Sequence, residues 1–230
     1  MEYKCLMIDH DDTTVDSTPS IHHPAHIEQM KQLGRSHQAL NLEDWFKINF
    51  HPGLVHYFEH TLTFTKEENI LCYKIWRDFT TRGDHPPFFP GILKLLYRFK
   101  EENGIIIVVS HSEPDIIKTH YKQQKEFPGL FPDRIFGWNG SPKENKPYIW
   151  PVEETIKQFG IKKKDILVID DLKPGITMAI KAGVDSAGVG WSQSHQIPEI
   201  KADLLDICTY YFEKVEELEN LIFNSNTNKY

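Results

Sequence analysis

The sequence predicts an α/β protein in which a doubly wound, Rossmann-like parallel sheet carries a small all-α insert. Short apolar runs alternate with longer amphipathic segments along most of the chain, as in strands joined by helical crossovers. The run at residues 104–109 is rich in β-branched residues, which suits a strand buried on both faces. Residues 18–87 show several helical patterns and no strand pattern, so they are expected to form a separate cap domain.

The predicted core comprises residues 1–17 and 88–230. Its strands are predicted at residues 5–8, 104–109, 134–138, 165–169, 186–189 and 209–212. Its helices are predicted at residues 91–103, from about 113 onward, and at 152–159, 174–182 and 213–223. Ser112 is expected to cap the helix that begins near Glu113 and Pro114. The polar residues 224–230 are predicted to be a disordered tail.

The insert is predicted to contain helices at residues 23–33, 42–49, 53–62 and 66–81. The last begins with Thr65-Lys-Glu-Glu68, which matches a capping box. The insert is also rich in histidine, and two groups have spacings that would suit zinc: His22, His23 and His26, and His56 with His60. Neither group has a matching acid or cysteine, so surface or core histidines are the favoured interpretation.

Composition limits the function classes. A formal charge of −7 disfavours nucleic acid as the main partner, because binding to phosphate backbones needs a basic surface. No segment approaches the ~18 uninterrupted apolar residues of a membrane span. The three cysteines lack metal-type spacing and no secretion signal is present, so a cytoplasmic protein with reduced thiols is expected. It is expected to be a monomer or a weak homodimer.

The ends of three predicted strands carry the residues that suggest chemistry. Asp9 and Asp11 follow the first strand, Ser110 the second, and Asp170-Asp171 the fourth. Parallel strands end at one edge of the sheet, so these residues should converge on one crevice. Clustered carboxylates repel one another unless a cation is present, and oxygen ligands suit a hard ion such as Mg²⁺. A cation with a lysine and a hydroxyl at a helix start suits a phosphoryl group.

In these motifs the sequence resembles the haloacid dehalogenase superfamily of aspartate-nucleophile phosphohydrolases. The position of the insert is similar to subfamily I, which includes phosphoglycolate phosphatases and β-phosphoglucomutases. The matching motifs run in order from about residue 4 to residue 212: Asp9-His-Asp11-Asp-Thr13 with Asp16-Ser17, then Ser110, Lys146-Pro147, Asp170-Asp171, Gly175 and Ala182-Gly183.

The resemblance implies roles for the acidic residues. Asp9 would attack phosphorus and form an aspartyl-phosphate. Asp11 would protonate the leaving oxygen and then deprotonate the hydrolytic water. Mg²⁺ would be held by the carboxylates of Asp9 and Asp171, by the backbone carbonyl of Asp11, and in some arrangements by Asp170.

The resemblance also implies a phosphate-binding set. Ser110 and the backbone amide of His111 would hold the phosphoryl oxygens, and Lys146 would neutralise Asp9 and the phosphate. Thr13 is expected to lie close to the substrate, where it would support the first loop more than it would touch the ligand. His10 is a first candidate for reading the leaving group, and so are His22 and His23 of the insert, because all three are close in sequence to that loop.

Three positions differ from the family pattern or leave a choice open. Asp12 stands where subfamily I most often has glycine, but aspartate tolerates left-handed backbone geometry. Gly175 stands where some relatives carry another acid. Lys143 competes with Lys146 for the lysine role, and the proline that follows Lys146 favours the latter.

These observations lead to the hypothesis of a Mg²⁺-dependent phosphohydrolase that acts on a small phosphorylated metabolite. The nearest alternative is a phosphomutase of the same subfamily, in which the phosphoryl group passes to a second sugar hydroxyl. A dehalogenase would need neither Asp11 nor magnesium. A signalling receiver would carry its acid pair after the first strand and its phosphorylated aspartate after a middle one, the reverse of this chain. A catalytically silent binding protein is the remaining alternative.

Overall fold

A computed structural model describes residues 1–83 and 85–223, except for the side chain of His195. The chain divides into two compact units: Met1–Val15 together with Phe88–Tyr230, and Asp16–Pro87. The sequence-based boundary of the insert lies two residues later at its start and at the same residue at its end. The predicted disordered tail, residues 224–230, lies outside the described residues. No helix in the described ranges combines the length and apolar character needed to cross a membrane.

The unit Asp16–Pro87 is helical. It contains α1 (His23–Gln32), α2 (Leu42–Phe50), α3 (Leu54–His56) and α4 (Lys66–Thr81), with π-helical segments at Thr18–His22 and Tyr57–Thr61. The predicted helix at residues 53–62 is therefore a short α-helix that continues as a π-helix. The capping box is confirmed: the Glu68 amide donates to Thr65 Oγ1 at 3.2 Å, and the Thr65 amide donates to Glu68 Oε2 at 2.8 Å.

The other unit is built on a six-stranded sheet. Its strands are β1 (Cys5–Ile8), β2 (Ile105–Val109), β3 (Arg134–Phe136), β4 (Ile166–Asp170), β5 (Asp185–Val189) and β6 (Tyr210–Phe212). They are ordered β3-β2-β1-β4-β5-β6, and every neighbouring pair is parallel. The predicted α/β fold with a Rossmann-like parallel sheet is confirmed.

Both faces of the sheet are covered, which explains the unbroken apolar strands. Along β1, Leu6 and Ile8 join one apolar cluster while Cys5 and Met7 join a second. Because side chains alternate between the two faces of a strand, a strand buried on both faces needs apolar residues at every position. The covering helices are α5 (Ile92–Glu101), α6 (Pro114–Gln123), α7 (Trp150–Phe159), α8 (Lys173–Ala182), α9 (Pro198–Ile207) and α10 (Val215–Phe223).

Helix α9 was not predicted. In the sequence its apolar residues at helical spacing are Ile200, Leu204 and Ile207, and only the first two of these are buried. That signal is too short to separate a helix from a loop.

Candidate active site

The sheet register brings three remote parts of the chain to one edge. Ile8 pairs with Val108 in β2 and with Ile169 in β4. Beyond these pairs, the Asp9 amide donates to the carbonyl of Ile169 at 2.9 Å. The residues that follow these paired positions in the three strands therefore lie at the same edge of the sheet. This edge, at the carboxyl ends of the strands, is where a parallel sheet presents its ligand site.

Three carboxylates converge at this edge. Asp9, Asp170 and Asp171 each offer an oxygen, and these oxygens lie within 4.8 Å of one another. The three residues are only 3%, 2% and 1% exposed, so water screens their charges poorly. Among the described residues no group that includes His22, His23 and His26 brings donor atoms together in this way.

Lys146 is the cation of this cluster. Its Nζ lies 2.7 Å from Asp9 Oδ1 and 2.6 Å from Asp170 Oδ2, and the side chain is buried. Burial lowers the pKa of this amine, but the two carboxylates outweigh that effect and hold its pKa above the usual range. Lys146, and not the exposed Lys143, is thus the lysine that the structure brings to the acids.

The carboxylates themselves are held in an unfavourable environment. Burial raises the pKa of Asp9, Asp170 and Asp171, and the other acids add to the rise at Asp9 and Asp171 while Lys146 opposes it. Three buried carboxylates against one ammonium leave an excess of negative charge. An all-oxygen donor set with this excess fits a hard divalent cation such as Mg²⁺.

Asp170 is fixed from three sides. Its Oδ1 accepts from the Leu172 amide at 2.8 Å and its Oδ2 accepts from Lys146. Gly175 in α8 packs against the same carboxylate, because a Cβ built on Gly175 would lie 1.9 Å from Asp170 Oδ2. The glycine at a position where some relatives carry an acid is therefore explained by space.

Asp171 is oriented by the first loop. Thr13 Oγ1 donates to Asp171 Oδ1 at 2.9 Å and accepts from the Asp171 amide at 3.1 Å. The indole of Trp191, which sequence reasoning did not single out, donates to the carbonyl of Thr13 at 2.9 Å. Thr13 thus contacts an acid of the cluster, and its expected role beside the ligand stays a prediction.

The first loop turns tightly after Asp9. Asp12 has a φ of 58°, the left-handed conformation expected where relatives carry glycine. Its amide donates to the carbonyl of Val15 at 2.7 Å, and Thr14 Oγ1 donates to the carbonyl of Asp9 at 2.5 Å. These bonds fix the backbone that carries Asp9 and Asp11.

Asp11 lies half-buried beside the second loop, and its carboxylate is not one of the three that converge. Asp11 Oδ2 accepts from Ser112 Oγ at 2.5 Å, with Ser110 Oγ farther away at 3.4 Å. The expectation that Ser112 caps α6 is wrong: the cap position is Glu113, where no side-chain cap bond forms. The hydroxyl of Ser112 is used by Asp11 instead.

The second loop is tied to the lysine loop. Asn145 Nδ2 donates to the carbonyl of Ser110 at 2.7 Å, and Asn145 Oδ1 accepts from the Lys146 amide at 2.7 Å. His111 Nε2 donates to the carbonyl of Lys146 at 3.0 Å. Sequence reasoning missed Asn145, because an asparagine in a polar loop has no pattern that separates a buried bridge from a solvated residue.

The three histidines proposed to read the leaving group have partners within their own units. His10 is fully buried, and its Nε2 lies 2.8 Å from Nδ1 of His120 in α6. In the insert, His22 Nδ1 accepts from the Trp76 indole at 3.1 Å, and the His23 ring donates to the carbonyl of Leu40 at 2.9 Å. A substrate-binding role for His10, His22 or His23 stays a prediction.

Fold and site together define an α/β protein in which acids, hydroxyls and a lysine converge on the edge of a parallel sheet. The family of haloacid dehalogenase-like hydrolases matches residues 3–183, and the chain belongs to that family.

Solved structures share this fold at low sequence identity. A predicted phosphatase from Clostridium acetobutylicum is similar at 20% identity and a TM-score of 0.77, over 97% of this chain and 100% of that one. A protein provisionally named a phosphoglycolate phosphatase, from Lactobacillus delbrueckii subsp. bulgaricus, is similar at 21% identity and a TM-score of 0.75, over 96% of this chain and 99% of that one. A protein provisionally named a β-phosphoglucomutase, from Bacteroides vulgatus, is similar at 21% identity and a TM-score of 0.69, over 96% of this chain and 88% of that one. No curated protein matches the chain.

Proposed function

We propose that the protein is a Mg²⁺-dependent phosphohydrolase that cleaves a small phosphate ester through an aspartyl-phosphate. The observation that carries this proposal is the buried cluster of Asp9, Asp170 and Asp171 around Lys146 at the edge of the sheet. Family membership supports hydrolysis, and the net charge of −7 favours a small phosphorylated metabolite over nucleic acid.

In the first step, a carboxylate oxygen of Asp9 attacks phosphorus and the bond from phosphorus to the leaving oxygen breaks. Asp11 donates its proton to that oxygen, so the alcohol leaves neutral. Lys146 favours the ionised form of Asp9 that this attack requires, because its ammonium lies 2.7 Å from Asp9 Oδ1. Ser110 and the amide of His111 would hold the phosphoryl oxygens.

In the second step, Asp11 is a carboxylate and removes a proton from the attacking water. The water oxygen bonds to phosphorus, the bond from phosphorus to Asp9 breaks, and inorganic phosphate leaves. Asp11 is protonated again and Asp9 is again a carboxylate, so the enzyme returns to its starting state.

Mg²⁺ would be held by Asp9 and Asp171, together with the backbone carbonyl of Asp11. Asp170 would act mainly as the partner of Lys146, because both of its oxygens already accept hydrogen bonds from the protein. When bound, the ion draws negative charge from the transferring oxygens. Thr13 would orient Asp171 for this role through its hydroxyl.

The test is release of inorganic phosphate from a broad panel of small phosphate esters by the purified protein. We expect release with Mg²⁺, background release with EDTA, and a loss of at least about 10³-fold in Asp9→Asn. Asp203→Asn makes the same change at an exposed carboxylate and should behave as wild type. Activity of Asp9→Asn near wild type, or equal activity with EDTA, would reject the proposal.

The same panel separates this function from its alternatives. A hexose phosphate that isomerises faster than free phosphate appears would indicate a phosphomutase. No turnover of any ester would favour a binding protein without catalysis.

A further inference from the structure

A short contact to the proposed acid–base residue comes from a side chain that the mechanism above does not use. Ser112 is 3% exposed, and its Oγ lies 2.5 Å from Asp11 Oδ2. Ser110 Oγ approaches the same oxygen only to 3.4 Å. A hydroxyl at 2.5 Å from a carboxylate oxygen is at the short end of charge-assisted hydrogen bonds, which are the stronger class.

Ser112 is held rigidly enough to position its partner. Its amide donates to Ser110 Oγ at 3.1 Å, and its carbonyl accepts from the Trp138 amide at 2.9 Å. Gly137 permits that close approach, because a Cβ there would lie 2.6 Å from the Ser112 carbonyl oxygen. The backbone of Ser112 is thus held at both its amide and its carbonyl. The side chain of Asp11, by contrast, is only half-buried.

We propose that Ser112 is the positioning residue for Asp11, an inference that rests on the proposed function. By donating to Oδ2, its hydroxyl assigns the transferred proton to Oδ1. Oδ2 remains unprotonated whether Asp11 is the acid or the carboxylate. The same hydrogen bond therefore persists through both steps and holds the carboxyl group in one orientation.

This role predicts a dependence on the leaving group. A poor leaving group needs the proton from Asp11 as it departs, whereas p-nitrophenolate departs with little help. The parameter kcat/KM covers the steps up to departure of the leaving group, so it reports this proton transfer and not the later attack by water. Loss of Ser112 Oγ should therefore affect esters in order of leaving-group basicity.

The experiment measures kcat/KM for a series of substituted phenyl phosphates with wild type and with Ser112→Ala. We expect a loss of about tenfold or more for phenyl phosphate and of less than about threefold for p-nitrophenyl phosphate. The slope of log kcat/KM against leaving-group pKa should become more negative, as it should in Asp11→Asn. Ser112→Thr retains the hydroxyl and should restore the wild-type slope.

A matched control removes a buried hydroxyl elsewhere. Ser186 is 1% exposed, and its Oγ accepts from the Thr209 amide at 3.2 Å. Ser186→Ala should leave the slope unchanged, and thermal unfolding of each variant would show whether the fold is intact. Ser112→Gly, which also lacks the hydroxyl, gives a second measurement if Ser112→Ala folds poorly.

The outcomes distinguish the two proposals. An equal loss for every ester, or no loss for any, overturns the role of Ser112 while Asp9→Asn still tests the phosphohydrolase. If wild type hydrolyses no ester of the series or of the broad panel, the proposed function fails and the role of Ser112 fails with it.

Discussion

Polar side chains are buried in both units of this protein, but in different chemical forms. At the sheet edge, Asp9, Asp170 and Lys146 are ionisable groups paired with one another. In the insert, His26 is fully buried and its Nε2 accepts from the Leu40 amide at 3.0 Å. The proton must then reside on Nδ1, which has no hydrogen-bond partner among the described residues. Burial lowers the pKa of His26 to about 4, with a smaller contribution from His23.

The difference separates the burial of paired charges, which the proposed function uses, from the burial of a neutral ring in a packed core. Neutral His26 lies against the ring of Trp45, with ring centroids 4.8 Å apart, and behaves as part of an aromatic core. The proposed function requires the acids at the sheet edge to be ionised, because a neutral carboxyl group would neither attack phosphorus nor hold a cation. The unit keeps them in place with a buried lysine, which protein folding alone would not favour over apolar residues.

The largest expected effect on stability comes from removing that lysine. Lys146→Met leaves Asp9 and Asp170 without their shared ammonium, so activity should fall by at least about a hundredfold. In EDTA, the free energy of unfolding measured with urea should fall by about 3 kcal/mol, as when one partner of a buried ion pair is removed. Lys143→Met changes an exposed lysine three residues earlier and should do neither. The reverse pattern would assign the lysine role to Lys143.

The contrast between the units also indicates what sequence can predict. The strand ends of the core could be located because the apolar runs over Cys5–Ile8 and Ile105–Val109 stop abruptly at polar residues. Parallel strand geometry then implied convergence without any knowledge of side-chain contacts. Asp9, Ser110 and Asp170 could therefore be identified from their positions at the ends of the predicted strands.

The contacts that hold these residues could not be predicted. Ser112 was interpreted by a local capping rule, whereas its partner Asp11 is 101 residues away in sequence. Asn145 bridges Ser110 and Lys146 through bonds that depend on how two loops pack. The lack of room for a side chain at Gly175 is apparent only once the position of the Asp170 carboxylate is known.

A smaller effect on stability is expected from adding a side chain at Gly175. Alanine is favoured over glycine by up to about 1 kcal/mol in a helix, so Gly175→Ala, in the first turn of α8, would stabilise the helix by at most that amount if room were available. Because the new Cβ would lie 1.9 Å from Asp170 Oδ2, we expect instead a loss of about 2 kcal/mol and reduced activity. Urea unfolding decides the sign, with Ile180→Ala, at an exposed site of the same helix, as the control. A stabilised Gly175→Ala would contradict the packing of Asp170 against this helix.

The pH dependence of stability tests the neutral burial of His26. The unfolded chain binds a proton at this histidine below its ordinary pKa of 6.5, and the folded chain does so only below about 4. Stability is therefore lost as the pH falls through this interval, and at pH 5 the loss is about 2 kcal/mol. Urea unfolding at pH 7 and pH 5 should show a smaller difference in His26→Gln, which keeps an acceptor for the Leu40 amide. His37→Gln, at an exposed site, controls for the loss of one histidine, and an identical pH difference in His26→Gln would refute the neutral burial.

The smallest effect concerns a polar contact of the insert that is exposed. Thr65→Ala removes the hydroxyl that accepts from the Glu68 amide, and should lower the free energy of unfolding by about 1 kcal/mol. Thr65→Ser retains the hydroxyl and should lose only a fraction of that. Glu68 also pairs with Arg35 at 2.6 Å, so its side chain stays in place when the cap is lost. Because the capping box lies outside the acidic cluster, kcat should not change in either variant. A loss of activity in fully folded Thr65→Ala would contradict this expectation.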